Sequence, residues 1–111
     1  MVLRGGGPAI VQGVVAVLMA TTIFYTVTGF LVWLLANVLA GVAGLIAAAS
    51  WRRPGVTRGA SLAATVLFVP LNLAFGLGSL DGGDPVPVAL VIIALAQVAA
   101  FVWSWRAASQ A

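Results

Sequence analysis

Hydrophobic positions in this chain form long unbroken runs with brief polar punctuation. From Gly5 to Trp51 there are 47 residues without one Asp, Glu, Lys, Arg or His. A bilayer core about 30 Å thick is crossed by about 20 apolar residues in a helix. A single helix over this run would be about 70 Å long at about 1.5 Å per residue. The run therefore predicts two spans joined by a tight turn. Two further uncharged runs follow, between Arg58 and Asp81 and between Asp84 and Arg106. The pattern predicts one transmembrane domain over residues 1–111, with spans near 8–26, 30–50, 59–79 and 86–105. The expected fold is all-α: a polytopic membrane protein, a bundle of four transmembrane helices with short loops.

The punctuation sets the boundaries. Pro8 suits a first helical turn, where its missing N–H is not needed. Arg4 before an apolar run has the outline of a signal peptide, but the run continues past Ala20 without a polar break, so a retained span is expected. Thr26-Val27-Thr28-Gly29 is the expected first turn, flanked by Tyr25 and Trp33 as interfacial aromatics. Arg52-Arg53-Pro54-Gly55 is expected to end the second span and open a basic loop reaching Arg58. Pro70 falls inside the third span. There it removes a donor from the carbonyl of Val66 and predicts a kink. Asp81-Gly82-Gly83-Asp84-Pro85 reads as a solvated turn, because two acids fall far short of the six to eight oxygens of a calcium site.

Composition agrees with the pattern. The chain is 63% hydrophobic and 6% charged, with a mean hydropathy of +1.20. A soluble domain carries about 25% charged residues. The net charge of +3 rests on five arginines and no lysine. Arg4, Arg52, Arg53, Arg58 and Arg106 all fall at predicted span ends, which reads as topology rather than nucleic-acid binding. With four spans and a cytoplasmic N-terminus all five lie inside, and the outer connection holds only Asp81 and Asp84. The expected topology is N-in/C-in, in a cell membrane of bacterial type. Ser50-Trp51-Arg52 and Ser104-Trp105-Arg106 repeat at the ends of the two even spans, where both meet the same interface.

Apolar helices in lipid associate mainly through close backbone approach, so their interfaces collect small residues. Ala36, Ala40, Gly44 and Ala48 recur every four residues on the second span, with Gly41 beside them. This stripe predicts a packing face, within the chain or against a partner. Four amides are also intramembrane: Gln12, Asn37, Asn72 and Gln97. Unpaired amides are costly in hydrocarbon. Asn37 and Asn72 each lie seven residues from the outer end of their spans, about 10 Å deep, so they can meet. Gln97 lies near the midplane, and Gln12 is expected to reach water at the inner end. Two readings follow. The amides hold the bundle together, or Asn37, Asn72 and Gln97 line a pocket that the Pro70 kink opens.

The chain has no Cys or His, and its acids are confined to one predicted loop. General acid–base and nucleophilic catalysis need groups the spans lack, so no enzyme activity, metal or cofactor is expected. Length and span number are similar to those of the small multidrug resistance transporters. Their coupling uses a membrane-embedded Glu in the first span, and this first span holds no acid. A proton-coupled exporter is therefore not expected, and neither is a rotary ion-conducting subunit built on a buried carboxylate.

The leading expectation is a structural or accessory membrane protein. It would act through helix packing in a larger membrane complex or a homo-oligomer, with lipid and other subunits as partners. The alternative is a carrier for a small neutral or lipophilic molecule between spans two, three and four. A pore-forming oligomer lacks the polar stripe it would need.

Overall fold

A computed structural model of the chain describes residues 6–22, 31–79, 82–83 and 85–109. Among these residues are four α-helices: α1 (Gly6–Thr21), α2 (Leu31–Ala49), α3 (Pro54–Gly78) and α4 (Pro85–Ser109). Each packs on its neighbours in sequence, and α1 also packs on α4, so the four close into a ring. All the paired helices run antiparallel. Gly13 lies against Ala48 and Gly41 against Ala20, Asn37 meets Asn72, and Gln12 meets Gln97.

α2, α3 and α4 are long and apolar enough to cross a membrane, and α1 is a shorter apolar helix. The fold is thus helical as expected, with three candidate spans and a fourth helix of 16 residues. That helix is about 24 Å long. Its expected end at Thr26 lies outside the described residues. The helix stops at Thr21, and Thr22 forms a 3₁₀ turn. The Thr21 hydroxyl donates to the Leu18 carbonyl at 2.9 Å and that of Thr22 to the Met19 carbonyl at 2.6 Å. Such local bonds compete with continuation of the backbone ladder. The expected turn at Thr26–Gly29, together with Tyr25, Arg4, Asp81 and Asp84, lies outside the described residues.

The basic loop is shorter than expected. α3 begins at Pro54, not Gly59, so Arg58 lies within its second turn. Proline favours this place because its fixed φ fits the helix and the N–H it lacks would have no intrahelical acceptor. Pro54 starts a helix where the sequence was expected to end one. Thr57 then ties α3 to α2, donating through its hydroxyl to the Ser50 carbonyl. The same carbonyl accepts the Arg53 N–H at 2.8 Å, so this carbonyl at the helix end is engaged twice. At the other end of α3 the Ser79 N–H bonds the Gly76 carbonyl at 3.2 Å, and Gly83 takes φ 72° in the connection to α4. α4 runs a turn beyond its expected end at Trp105, so Arg106 sits in its last turn, near the negative end of the helix dipole.

The distribution of polarity is inverted relative to a water-soluble bundle. Val32 is 77% exposed, Ile10 70% and Val66 62%, whereas Gln12, Asn37, Asn72 and Gln97 are buried. Monomers in water rarely expose contiguous apolar surface beyond a few hundred Å². Here large aliphatic side chains face outward on every helix, as a hydrocarbon solvent requires. The interior is built from small residues with a few large ones, among them Met19, Phe68 and Leu90.

The small-residue stripe of α2 is used inside the chain, against α1. A Cβ on Gly41 would fall 2.7 Å from the Cβ of Ala20, and one on Gly44 would fall 2.7 Å from the Cβ of Ala16. Ala40 is fully buried, while Ala36 and Ala48 are half-buried. Gly76 plays the same part between α3 and α4, where a Cβ would meet the Pro87 carbonyl at 2.8 Å.

Candidate functional site

The four amides form two clusters at different depths. The first joins α1, α2 and α3. Asn72 Nδ2 donates to Asn37 Oδ1 at 2.8 Å, and Asn37 Nδ2 donates back to Asn72 Oδ1 at 3.4 Å. Asn72 Nδ2 also donates to the Phe68 carbonyl at 2.8 Å, and Asn37 Nδ2 to Thr22 Oγ1 at 3.1 Å. Trp33 Nε1 donates to Asn72 Oδ1 at 3.0 Å. Each Asn has two N–H donors and a carbonyl with two lone pairs. Both donors of each residue are engaged, and the Asn72 carbonyl accepts twice.

The second cluster joins α1, α3 and α4. Gln12 Nε2 donates to Gln97 Oε1 at 2.8 Å, and Gln97 Nε2 donates back to Gln12 Oε1 at 3.3 Å. Ser61 Oγ donates to Gln12 Oε1 at 2.9 Å, and Gln97 Nε2 to Thr65 Oγ1 at 3.0 Å. The Thr65 hydroxyl in turn donates to the Ser61 carbonyl at 2.8 Å. Thr65 and Asn72 are seven residues apart on α3, so the clusters are separated by about 10 Å along the helix. The fully buried Phe68 lies between them in sequence, on the same helix face.

Local sequence explains why these groups face inward. Ser61, Thr65, Phe68, Asn72 and Gly76 follow one another at spacings of three and four, the spacing of one helical face. Asn37 is one turn beyond Trp33, so both reach the same partner. Trp33 also packs on Phe75, with ring centroids 4.6 Å apart. It was expected at the membrane interface, but it is only 7% exposed. Its N–H needs an acceptor once buried, and the Asn72 carbonyl supplies one.

Asn37 and Asn72 therefore meet, as their common depth predicts. The pocket expected from Asn37, Asn72 and Gln97 is not formed by these contacts. Gln97 turns to Gln12 and Thr65, in a separate cluster. Gln12, expected to reach water, is 1% exposed because Gln97 and Ser61 hold it inside. Pro70 is exposed on the outside of α3. It lies two residues from Asn72, about 200° around the helix, so it cannot open a space beside that side chain. Thr22, Ser61, Thr65 and Trp33 complete the clusters, and sequence reading did not pair them with the amides. The only sequence signal was their spacing from other polar residues, which names a face but not a partner.

The arrangement has definite chemical limits. Amides and hydroxyls donate and accept hydrogen bonds but do not titrate near neutral pH. Among the described residues no group of three His, Cys, Asp or Glu side chains is placed to hold a metal. A cleft of about 590 Å³ lies instead at the α2–α3 turn beside Trp51, Arg52 and Arg53.

No protein-family model matches this chain, and comparisons with curated proteins and with solved structures find no match.

Proposed function

We propose that the chain is a four-span integral membrane protein, N-in/C-in, with a structural or accessory role in a larger membrane complex or homo-oligomer. The observation that carries this reading is the closed polar interior. The amides bond to one another and to neighbouring side chains and carbonyls within the bundle. The α2 stripe is likewise taken up by α1. What remains available to a partner is the outer apolar surface, rich in Val, Leu and Ile, and the two ends.

Arginine positions support the orientation. Arg52, Arg53, Arg58 and Arg106 belong to the end shared by the α2 C-terminus, the α3 N-terminus and the α4 C-terminus. Basic residues in short loops favour the cytoplasmic side. α1 crosses as a short span. A helix below the hydrocarbon thickness is accommodated by local thinning or by its neighbours, at a fraction of a kcal/mol per Å.

Topology is directly testable because the chain has no cysteine of its own. Single cysteines at Val2, Gly55 and Gly82 would be treated with a membrane-impermeant maleimide on intact cells. Gly82→Cys should label at once, and Val2→Cys and Gly55→Cys only after permeabilisation. Labelling of Val2→Cys together with Gly82→Cys would mean that α1 does not cross. The functional reading is tested by native mass spectrometry from mild detergent. A heteromer or a defined oligomer is expected. A monomer carrying a reproducible small extra mass would overturn the accessory reading in favour of a carrier.

A further inference from the structure

We infer that the cleft at the α2–α3 turn is a binding site for the headgroup of an anionic phospholipid, an inference that rests on the membrane orientation proposed above. The cleft is open and about 590 Å³ in volume. Its walls divide by chemistry. Ile46, Ala49 and Val56 supply an apolar side continuous with the exposed faces of α2 and α3, while Trp51, Arg52 and Arg53 supply an aromatic and basic rim. A phospholipid has the same division, with acyl chains below a phosphate. Ile46 and Val56 are 49% and 45% exposed, so an acyl chain can lie on them.

The rim is ordered for an anion. The Arg52 guanidinium lies over the Trp51 ring, 4.8 Å from its centroid. This contact holds the guanidinium beside the ring, and the N–H fork of a guanidinium matches a phosphate in a bidentate manner. Arg53 lines the same cleft. No side-chain carboxylate is available nearby in sequence, because both acids of the chain, Asp81 and Asp84, belong to the α3–α4 connection. Counter-charge at this end must come from outside the side chains, and the anionic lipids of the cytoplasmic leaflet are the charge it faces.

A second Trp-Arg pair, Trp105 and Arg106, lines a smaller cleft of about 200 Å³ with Phe101 and Val102. Arg106 is the arginine that lines it, and the Arg58 guanidinium lies 4.8 Å from the centroid of the same Trp105 ring. Comparing the two clefts separates a specific site from a generally basic end.

The test uses the full chain in mild detergent with equal amounts of phosphatidylglycerol and phosphatidylcholine, read by native mass spectrometry. The wild type should retain phosphatidylglycerol preferentially. Substituting Arg52→Gln and Arg53→Gln together should cut that preference by about fivefold for each arginine, and Arg106→Gln should leave most of it. A phosphatidylglycerol carrying a photoreactive headgroup should crosslink the wild-type chain within residues 46–56, which locates the site should the double variant fail to insert. Equal retention of the two lipids overturns the inference. So does an equal loss of preference in the Arg106→Gln variant, or crosslinking spread over the whole basic end. Suppression by millimolar inorganic phosphate without lipid selectivity would assign the cleft to free anions and also overturn it. A monomer that is nevertheless selective would leave this inference standing while the accessory reading fell.

Discussion

Asn72→Leu should lower the stability of the bundle by about 2 kcal/mol, the most that any single polar substitution is expected to cost here. Asn72 accepts from Trp33 and Asn37 and donates to Asn37 and to the Phe68 carbonyl. Its removal leaves the Trp33 N–H without its acceptor and the Asn37 carbonyl without its donor. Both residues are buried, so water does not readily replace what is lost. An intramembrane hydrogen bond averages only about 0.6 kcal/mol. The larger figure arises because several polar groups are orphaned together. Trp33→Phe, which removes a single bond, should cost under about 1 kcal/mol. The double variant Asn37→Leu with Asn72→Leu should cost clearly less than the sum of the two single variants, because residues in one network are coupled. Reversible unfolding in mixed micelles, followed by helicity, measures all four. Additive single and double effects would mean that the amides do not act as a pair.

Gly41→Leu should be at least as disruptive, by separating α1 from α2. The Cβ alone would stand 2.7 Å from the Ala20 Cβ and 3.0 Å from the Ala16 carbonyl oxygen. A side-chain tip can rotate aside, but a backbone carbonyl moves only with its helix. Overpacking of this kind costs about 1–3 kcal/mol, and the extra atoms of leucine put it at the upper end. Gly76→Ala should behave similarly at the α3–α4 contact, where the Pro87 carbonyl would be 2.8 Å away. Gly59→Ala is the control. It lies in α3 with nothing within 4 Å of the added methyl, so it should be neutral or stabilising. The same unfolding measurement distinguishes them. If Gly41→Leu matched Gly59→Ala, α1 would not pack on α2 through this stripe.

The two kinds of substitution test different parts of one design. Small residues let the helices approach, and close approach brings the amides within bonding distance. A loosened α1–α2 contact should therefore weaken the bond from Asn37 to Thr22 as well. Gly44 links the two most directly, since a Cβ there would lie 3.1 Å from Gln12 Nε2.

Particular residues mark how far sequence reasoning reached into this bundle. The meeting of Asn37 with Asn72 was legible, because depth in a membrane is counted in residues along nearly parallel helices. The partner of Gln97 was not. Counting depth in residues left Asn37, Asn72 and Gln97 near enough to share a site, whereas in the bundle Gln97 stands level with Thr65, one cluster away from Asn72, and turns toward Gln12. Pro70 shows the same gap. Its position in the span was plain, but its exposure follows from which face of α3 the other helices cover. Pro54 is ambiguous for a local reason, since a proline after a polar turn signals a helix end and a helix start equally well.

The sequence by itself determined that the chain is helical, that it contains runs apolar enough to cross a bilayer, and that its basic residues gather at the predicted ends. These follow from hydrophobic length, from the lack of charge in the spans and from the need of every backbone group in lipid for an internal partner. Only the tertiary structure decided that the Ala36–Ala48 stripe packs on α1, that the four amides divide into two clusters, and that Trp33 is buried. The reason is physical. Hydrophobicity specifies where a helix lies in lipid but is almost indifferent to its rotation, because lipid tails and neighbouring helices are equally apolar. Rotation and pairing are chosen by shape and by a few hydrogen bonds, and those depend on all four helices at once.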